Sequence, residues 1–310
     1  MRSVASWLWL VVRGAATEWT TDKVPRLAAA IAFYSLFSLA PIVIIAVAIA
    51  GAVFGPAAAH RELLDQAQYL VGPDGAEAIR LLIKHAPRRE ASALATLAGV
   101  ATMLFAATGA FTELKDALDT IWEVQPKPGL GIVTLIKQRF LSFAMVLVIG
   151  FLMLVSLVIT TCLAVLSETT SRLLPEAIFF MQALHFVMAL GLITLLFALI
   201  YKVLPDAKVA WRDVWLGAGI TALLFSTGKS LFGLYLGHSS IGSSYGAAGS
   251  LVIVILWTYY SSLILLFGAE MTQVQARLRH VPREPRAMAI RVSEQERAQQ
   301  GIPHEPDESA

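Results

Sequence analysis

Apolar runs of about 20 residues or more recur along this chain, each long enough to cross roughly 30 Å of hydrocarbon at about 1.5 Å per residue. Inside a bilayer the backbone must satisfy its own hydrogen bonds, so segments of this length are helices. Six are predicted, over about 27–54, 91–112, 139–166, 177–201, 213–236 and 248–271. The fold class expected is therefore all-α, a polytopic membrane bundle of six transmembrane helices forming one domain. Composition agrees: 57% hydrophobic and 15% charged residues, with mean hydropathy +0.68, are too apolar for a soluble domain.

The connections carry the remaining information. Residues 1–26 begin with a short apolar run, Trp7 to Val12, between Arg2 and Arg13. It is shorter than a signal-peptide core and no cleavage site follows, so the segment reads as an interfacial helix with Trp7, Trp9 and Trp19 at headgroup depth. Pro41 removes a backbone bond from the first span and predicts a kink near Phe37. Residues 56–90 have the periodicity of two short amphipathic helices. The second span is expected to continue into water with Phe111, Leu114, Leu118 and Ile121 as its apolar stripe, until Pro126 and Pro128 stop it. On its other faces Glu113, Asp116 and Asp119 read as solvated carboxylates. Residues 276–310, rich in Pro and charge, read as a largely disordered tail.

Six spans put both termini on one side, and the basic residues choose which. Outside the spans, Arg61, Arg80, Lys84, Arg88, Arg89 and Arg172 fall on one side and every other Lys and Arg on the opposite side. Both termini are therefore predicted to be cytoplasmic and the 56–90 loop external.

Three stretches carry a family resemblance: LAAAIAFYSLFSLAPIVII at Leu27–Ile45, ELKDALDTIWEV at Glu113–Val124, and YGAAGSLVIVILWTYYSSLILLFGAEM at Tyr245–Met271. Together they resemble the YihY family, also called BrkB or ribonuclease BN-like, over roughly residues 5–278. The resemblance implies a six-helix, multi-pass protein of the bacterial inner membrane. The family's names point toward RNA processing and toward serum resistance, and neither defines a mechanism.

The residues argue against enzyme chemistry. A metal-dependent ribonuclease needs converging His, Asp or Glu ligands. His60, His85, His185, His238, His280 and His304 form no HxH or HExxH motif and are expected on different sides of the membrane. Gly228-Lys229-Ser230 imitates the end of a phosphate-binding loop, but Leu223 stands where the first glycine is required, and the segment reads as a membrane helix. Cys162 reads as a buried small hydrophobe. No cofactor, metal site or nucleic-acid surface is expected, since orientation accounts for the basic residues.

What remains is a set of polar groups within apolar helices. Lys229 is the costliest, at about 2.5–3.5 kcal/mol on insertion scales. Ala222, Ser226, Lys229 and Gly233 recur on one helical face. His185 is expected at a similar depth on the preceding span, Tyr259 and Tyr260 near the middle of the last, and Ser35 and Ser38 near the Pro41 kink. These groups are the candidate binding site for a lipid-like or amphipathic anion. The alternative leaves Lys229 snorkelling outward and His185 bonded to a neighbouring helix. The Gly-rich turn containing Gly246 and Gly249 reads as a hairpin or a gate, and Glu270 as a structural group meeting Arg26 or Lys23. The functional expectation is handling or transport of such an anion, with membrane lipids as partners. A ribonuclease, or a scaffold docking an envelope protein through the 56–90 loop, remains the alternative.

Overall fold

The computed structural model describes residues 4–38, 109–128, 178–238, 249–281, 284–286, 288–299 and 301–302, with isolated positions at 55, 64, 77 and 80. These residues form helices α1 (Val4–Thr21), α2 (Val24–Ser38), α3 (Gly109–Ile121), α4 (Ile178–Val203), α5 (Trp211–His238), α6 (Gly249–Leu278) and α7 (Glu294–Gln299). Strands β1 (Val124–Pro126) and β2 (Ala289–Arg291) complete the set.

Two stretches, Phe186–Val203 of α4 and Leu251–Leu278 of α6, are long and apolar enough to cross a membrane. The start of α4 and of α6 falls where the fourth and sixth spans were expected, but α6 runs on to Leu278 rather than ending near 271. The third expected span, most of the first two, Pro41, Gly246 and nearly all of the 56–90 loop lie outside the described residues.

The chain divides into two compact units. The first comprises Met1–Asp22, Leu118–Ser226 and Phe267–Ala310. In it α1 buries Val11, Ala15 and Glu18, and Asp22 follows at the same spacing, so one face of the helix carries two aliphatic and two acidic residues. Val11 and Ala15 pack on Met271 of α6. Gly14 permits the approach: a Cβ there would lie 2.8 Å from Val274 Cγ1. Trp19 meets Phe267 edge-on at 5.7 Å, and Arg279 sits 5.8 Å from the Trp7 ring, so two of the three tryptophans expected at headgroup depth pack on α6 and its end. Trp9 remains 65% exposed.

Helices α4, α5 and α6 meet through small residues and hydroxyls. The Tyr201 and Thr221 hydroxyls are 2.8 Å apart, Thr221 donates to the Gly217 carbonyl at 2.7 Å, and Thr272 donates to the Gly268 carbonyl at 2.8 Å. A Cβ on Gly217 would come within 2.5 Å of the Gly268 carbonyl oxygen. The two threonines donate within their own helices and Tyr201 bonds across to Thr221, which lets the helices approach at Gly217 and Gly268 without orphaned hydroxyls.

Three findings depart from the sequence reading. The fold is not wholly helical: β1 and β2 pair antiparallel, Val124 with Arg291, Gln125 with Ile290 and Pro126 with Ala289. Nor is the tail without structure. Arg286 donates to the Lys202 and Val203 carbonyls and so caps the C-terminus of α4, where a cation is favoured. Ser293 and Glu296 bond reciprocally as a capping box that starts α7, and Ile302 is buried. Polar composition suggested disorder, but these polar groups have specific partners at helix ends. Asp119, expected to be solvated, is buried and accepts a 2.6 Å bond from the Asp206 backbone N–H.

The second unit comprises Lys23–Ala117 and Thr227–Leu266. Here α2 and α3 meet at Ser38, whose hydroxyl donates to the Tyr34 carbonyl at 2.9 Å and accepts from the Ala110 N–H at 3.2 Å. The second half of α5 meets the first half of α6 through rings. Phe232 lies 5.1 Å from Trp257 and stacks on Tyr260 at 6.4 Å.

Candidate functional site

The sequence-predicted site residues divide between the units. Lys229, Tyr259, Tyr260, Ser35 and Ser38 belong to the second; His185, Ser226 and Glu270 belong to the first. Gly249 is the first residue of α6. His185 lies within α4, where only the backbone is described.

In the second unit the local sequence explains the setting of Lys229. Gly228 is buried because the Tyr260 ring occupies the space a side chain would need. One residue on, about 100° around the helix, Lys229 is half-buried. Further along α5 Leu231, Leu234 and Tyr235 are exposed, and Gly233 has open space where a Cβ would be. Lys229 thus emerges beside an aromatic seam and an outward-facing apolar surface. Tyr259 is half-buried, while Tyr260 is held by Phe232 and Trp257 and has a packing role. Ser35 is half-buried, whereas Ser38 joins α2 to α3.

In the first unit the sequence reading identified one member of a larger cluster. Glu270 is fully buried, and neither carboxyl oxygen has a hydrogen-bond partner among the described residues. The charged groups acting on it are Asp22, Glu18, Arg277 and Arg297, rather than the Arg26 or Lys23 first considered. Arg277 donates to Glu18 at 2.6 Å and to Gln273 at 3.0 Å. Arg297 donates to Asp22 at 2.8 Å and lies 3.6 Å from Glu123. The Arg297 and Asp22 side chains are only 4% and 3% exposed. Burial pushes the Asp22 carboxyl up to about 6, against the pull of Arg297 and with help from Glu18 and Glu123. Burial also raises Glu113, with Asp116 adding to the shift.

A signal for half of this cluster lay in the sequence. Glu18 and Asp22 continue the spacing of Val11 and Ala15, so two carboxylates occupy an apolar face. Arg297 had none, since a basic residue in a polar tail has no periodicity to mark it.

Comparison with known proteins places the chain. The family described as Virulence factor BrkB matches residues 15–291. The chain belongs to that family. A UPF0761 membrane protein of Pseudomonas aeruginosa (strain LESB58) is 31% identical over 267 residues, 82% of this chain and 60% of the relative. Another from Alcanivorax borkumensis is 26% identical over 289 residues, 91% of this chain and 64% of the relative. A third, from Tolumonas auensis, is 41% identical over 93 residues, 30% of each chain. The chain thus spans about 60% of the length of the Pseudomonas relative. No solved structure matches. Family membership and the apolar stretches of α4 and α6 make this an integral membrane protein of the BrkB/UPF0761 type.

Proposed function

We propose that this BrkB-family protein is a multi-pass protein of the bacterial inner membrane, with cytoplasmic termini, that handles or transports a lipid-like or amphipathic anion. The observation supporting this is the setting of Lys229: a half-buried lysine on a helix whose neighbouring turns expose Leu231, Leu234 and Tyr235. A lysine at hydrocarbon depth costs about 2.5–3.5 kcal/mol, which an anionic headgroup offsets while its chains cover the exposed apolar surface. Within the second unit, Tyr259 and Ser35 are the polar groups assigned to the headgroup in this reading, with Tyr260 fixing the helix that carries Lys229. The protein is a non-enzyme on this account, with no cofactor and no nucleic-acid partner. Its partners are membrane lipids; an envelope protein docking through residues 56–90 belongs to the alternative reading of the chain as a scaffold.

Native mass spectrometry of the mildly extracted protein and of Lys229→Met tests the reading. The expected result is a specific anionic-lipid adduct whose occupancy falls about tenfold in the variant, equivalent to about 1.4 kcal/mol. Identical adducts on both proteins would remove Lys229 from the binding role.

A further inference from the structure

Glu270 immediately precedes Met271, the α6 residue that packs on Val11 and Ala15 of α1. Its carboxyl group is enclosed by protein and receives no hydrogen bond from any described residue. The charged groups acting on it are Glu18 and Asp22 at the end of α1, Arg277 on α6 itself and Arg297 on α7; Glu123, just after α3, joins through Arg297. From α4 and α5, Tyr201 and Thr221 meet α6 at Gly268, and their hydroxyls are bonded to each other.

Among the described residues, Arg277 is engaged by Glu18 and Arg297 by Asp22 and Glu123, while the Glu270 carboxyl group receives no hydrogen bond. Buried negative charge needs a positive companion. A metal ion does not fit this role: among the described residues no three His, Cys, Asp or Glu side chains converge closely enough to hold one. A proton requires no such convergence.

We propose that this cluster is a proton-binding site, in which the enclosed Glu270 carboxyl group holds a proton that the negative charge of Asp22 and Glu18 favours and the two guanidiniums do not replace. The site is independent of Lys229 and of the ligand proposed for it. The upward displacement of Asp22 to about 6 agrees in direction. The folded state then binds a proton more tightly than the unfolded chain. The stability this contributes is full below the ordinary carboxylate range, near pH 4, and is lost as pH rises through about 6.

The test uses the full-length protein in detergent with Glu270→Gln and Asp22→Asn, reading the infrared carbonyl stretch of protonated carboxylic acids and the apparent Tm between about pH 5 and about pH 8. The expected wild-type result is a carboxylic-acid band at pH 5 that shrinks toward pH 8 while Tm falls. Glu270→Gln should remove part of the band, flatten the Tm slope and remain folded at pH 8. An unchanged band and slope in both variants would overturn the proposal. If neither variant folds, the wild-type spectrum decides, and absence of the band at pH 5 overturns it. A wild-type Tm at pH 8 that rises with sodium chloride but not with choline chloride also overturns it, assigning the site to a metal cation.

Discussion

The two units solve the problem of helix contact in different ways. In the first, helices approach until glycines face backbone and hydroxyls, and the space around the charged groups is filled: a Cβ on Gly268 would collide with the Thr221 and Tyr201 hydroxyls, and Arg297 is buried between Asp22 and Glu123. In the second, contact is made by side-chain rings, Phe232 and Trp257 around Tyr260, while Leu231, Leu234 and Tyr235 face outward. Backbone-to-backbone packing leaves no room for adjustment, because cores are close-packed and the main chain cannot rotate away. Ring packing does. The first unit has the character of a scaffold, and the second of a surface that can accommodate something.

That contrast predicts a ladder of mutational effects. Arg297→Leu should be the most damaging change, because it leaves Asp22 and Glu123 buried without their guanidinium. A loss of about 3–5 kcal/mol at neutral pH is expected from breaking a buried pair on one side. Denaturant titration in detergent checks it, and repeating the titration near pH 5 sharpens it: the loss should shrink as Asp22 takes up a proton. Next come Gly217→Ala and Gly268→Ala, each expected to cost about 1–3 kcal/mol through overpacking. Gly228→Ala in the second unit should cost less than either, since the neighbour that must yield is the far end of the Tyr260 side chain. Equal losses at Gly228 and Gly217 would break the distinction between the units.

The same contrast explains what could be read from sequence. The long apolar stretches of α4 and α6 were legible because hydropathy over about 20 residues needs no knowledge of neighbours. Glu270 stood out as an acid near the end of an apolar helix, and Lys229 as a base within one. Their surroundings were not legible, because Asp22, Glu123 and Arg297 meet only through the fold. The ribbon of Val124–Pro126 and Ala289–Arg291 was missed for a related reason: three-residue strands have too little periodicity to detect, and the partner lies in a polar tail. Asp119 and Arg286 read as ordinary surface charges, yet each binds a backbone group brought to it from a distant part of the sequence.

Gly233→Ala should have the smallest effect, and of opposite sign. Gly233 lies within α5, and a Cβ there would meet nothing within 4 Å. Alanine restricts the unfolded chain more than glycine and exposes less backbone, so stability should rise by roughly 0.5–1 kcal/mol, seen as a higher apparent Tm. Gly219, on the same helix in the first unit and equally open, is the control and should respond alike. Suppose instead that Gly233→Ala lowers Tm while Gly219→Ala raises it. The space beside Gly233 would then be occupied in the native membrane, by a bound chain or a second copy of the protein. Delipidation would separate the two: a penalty that disappears with the lipid belongs to a bound acyl chain, and one that persists belongs to a protein neighbour.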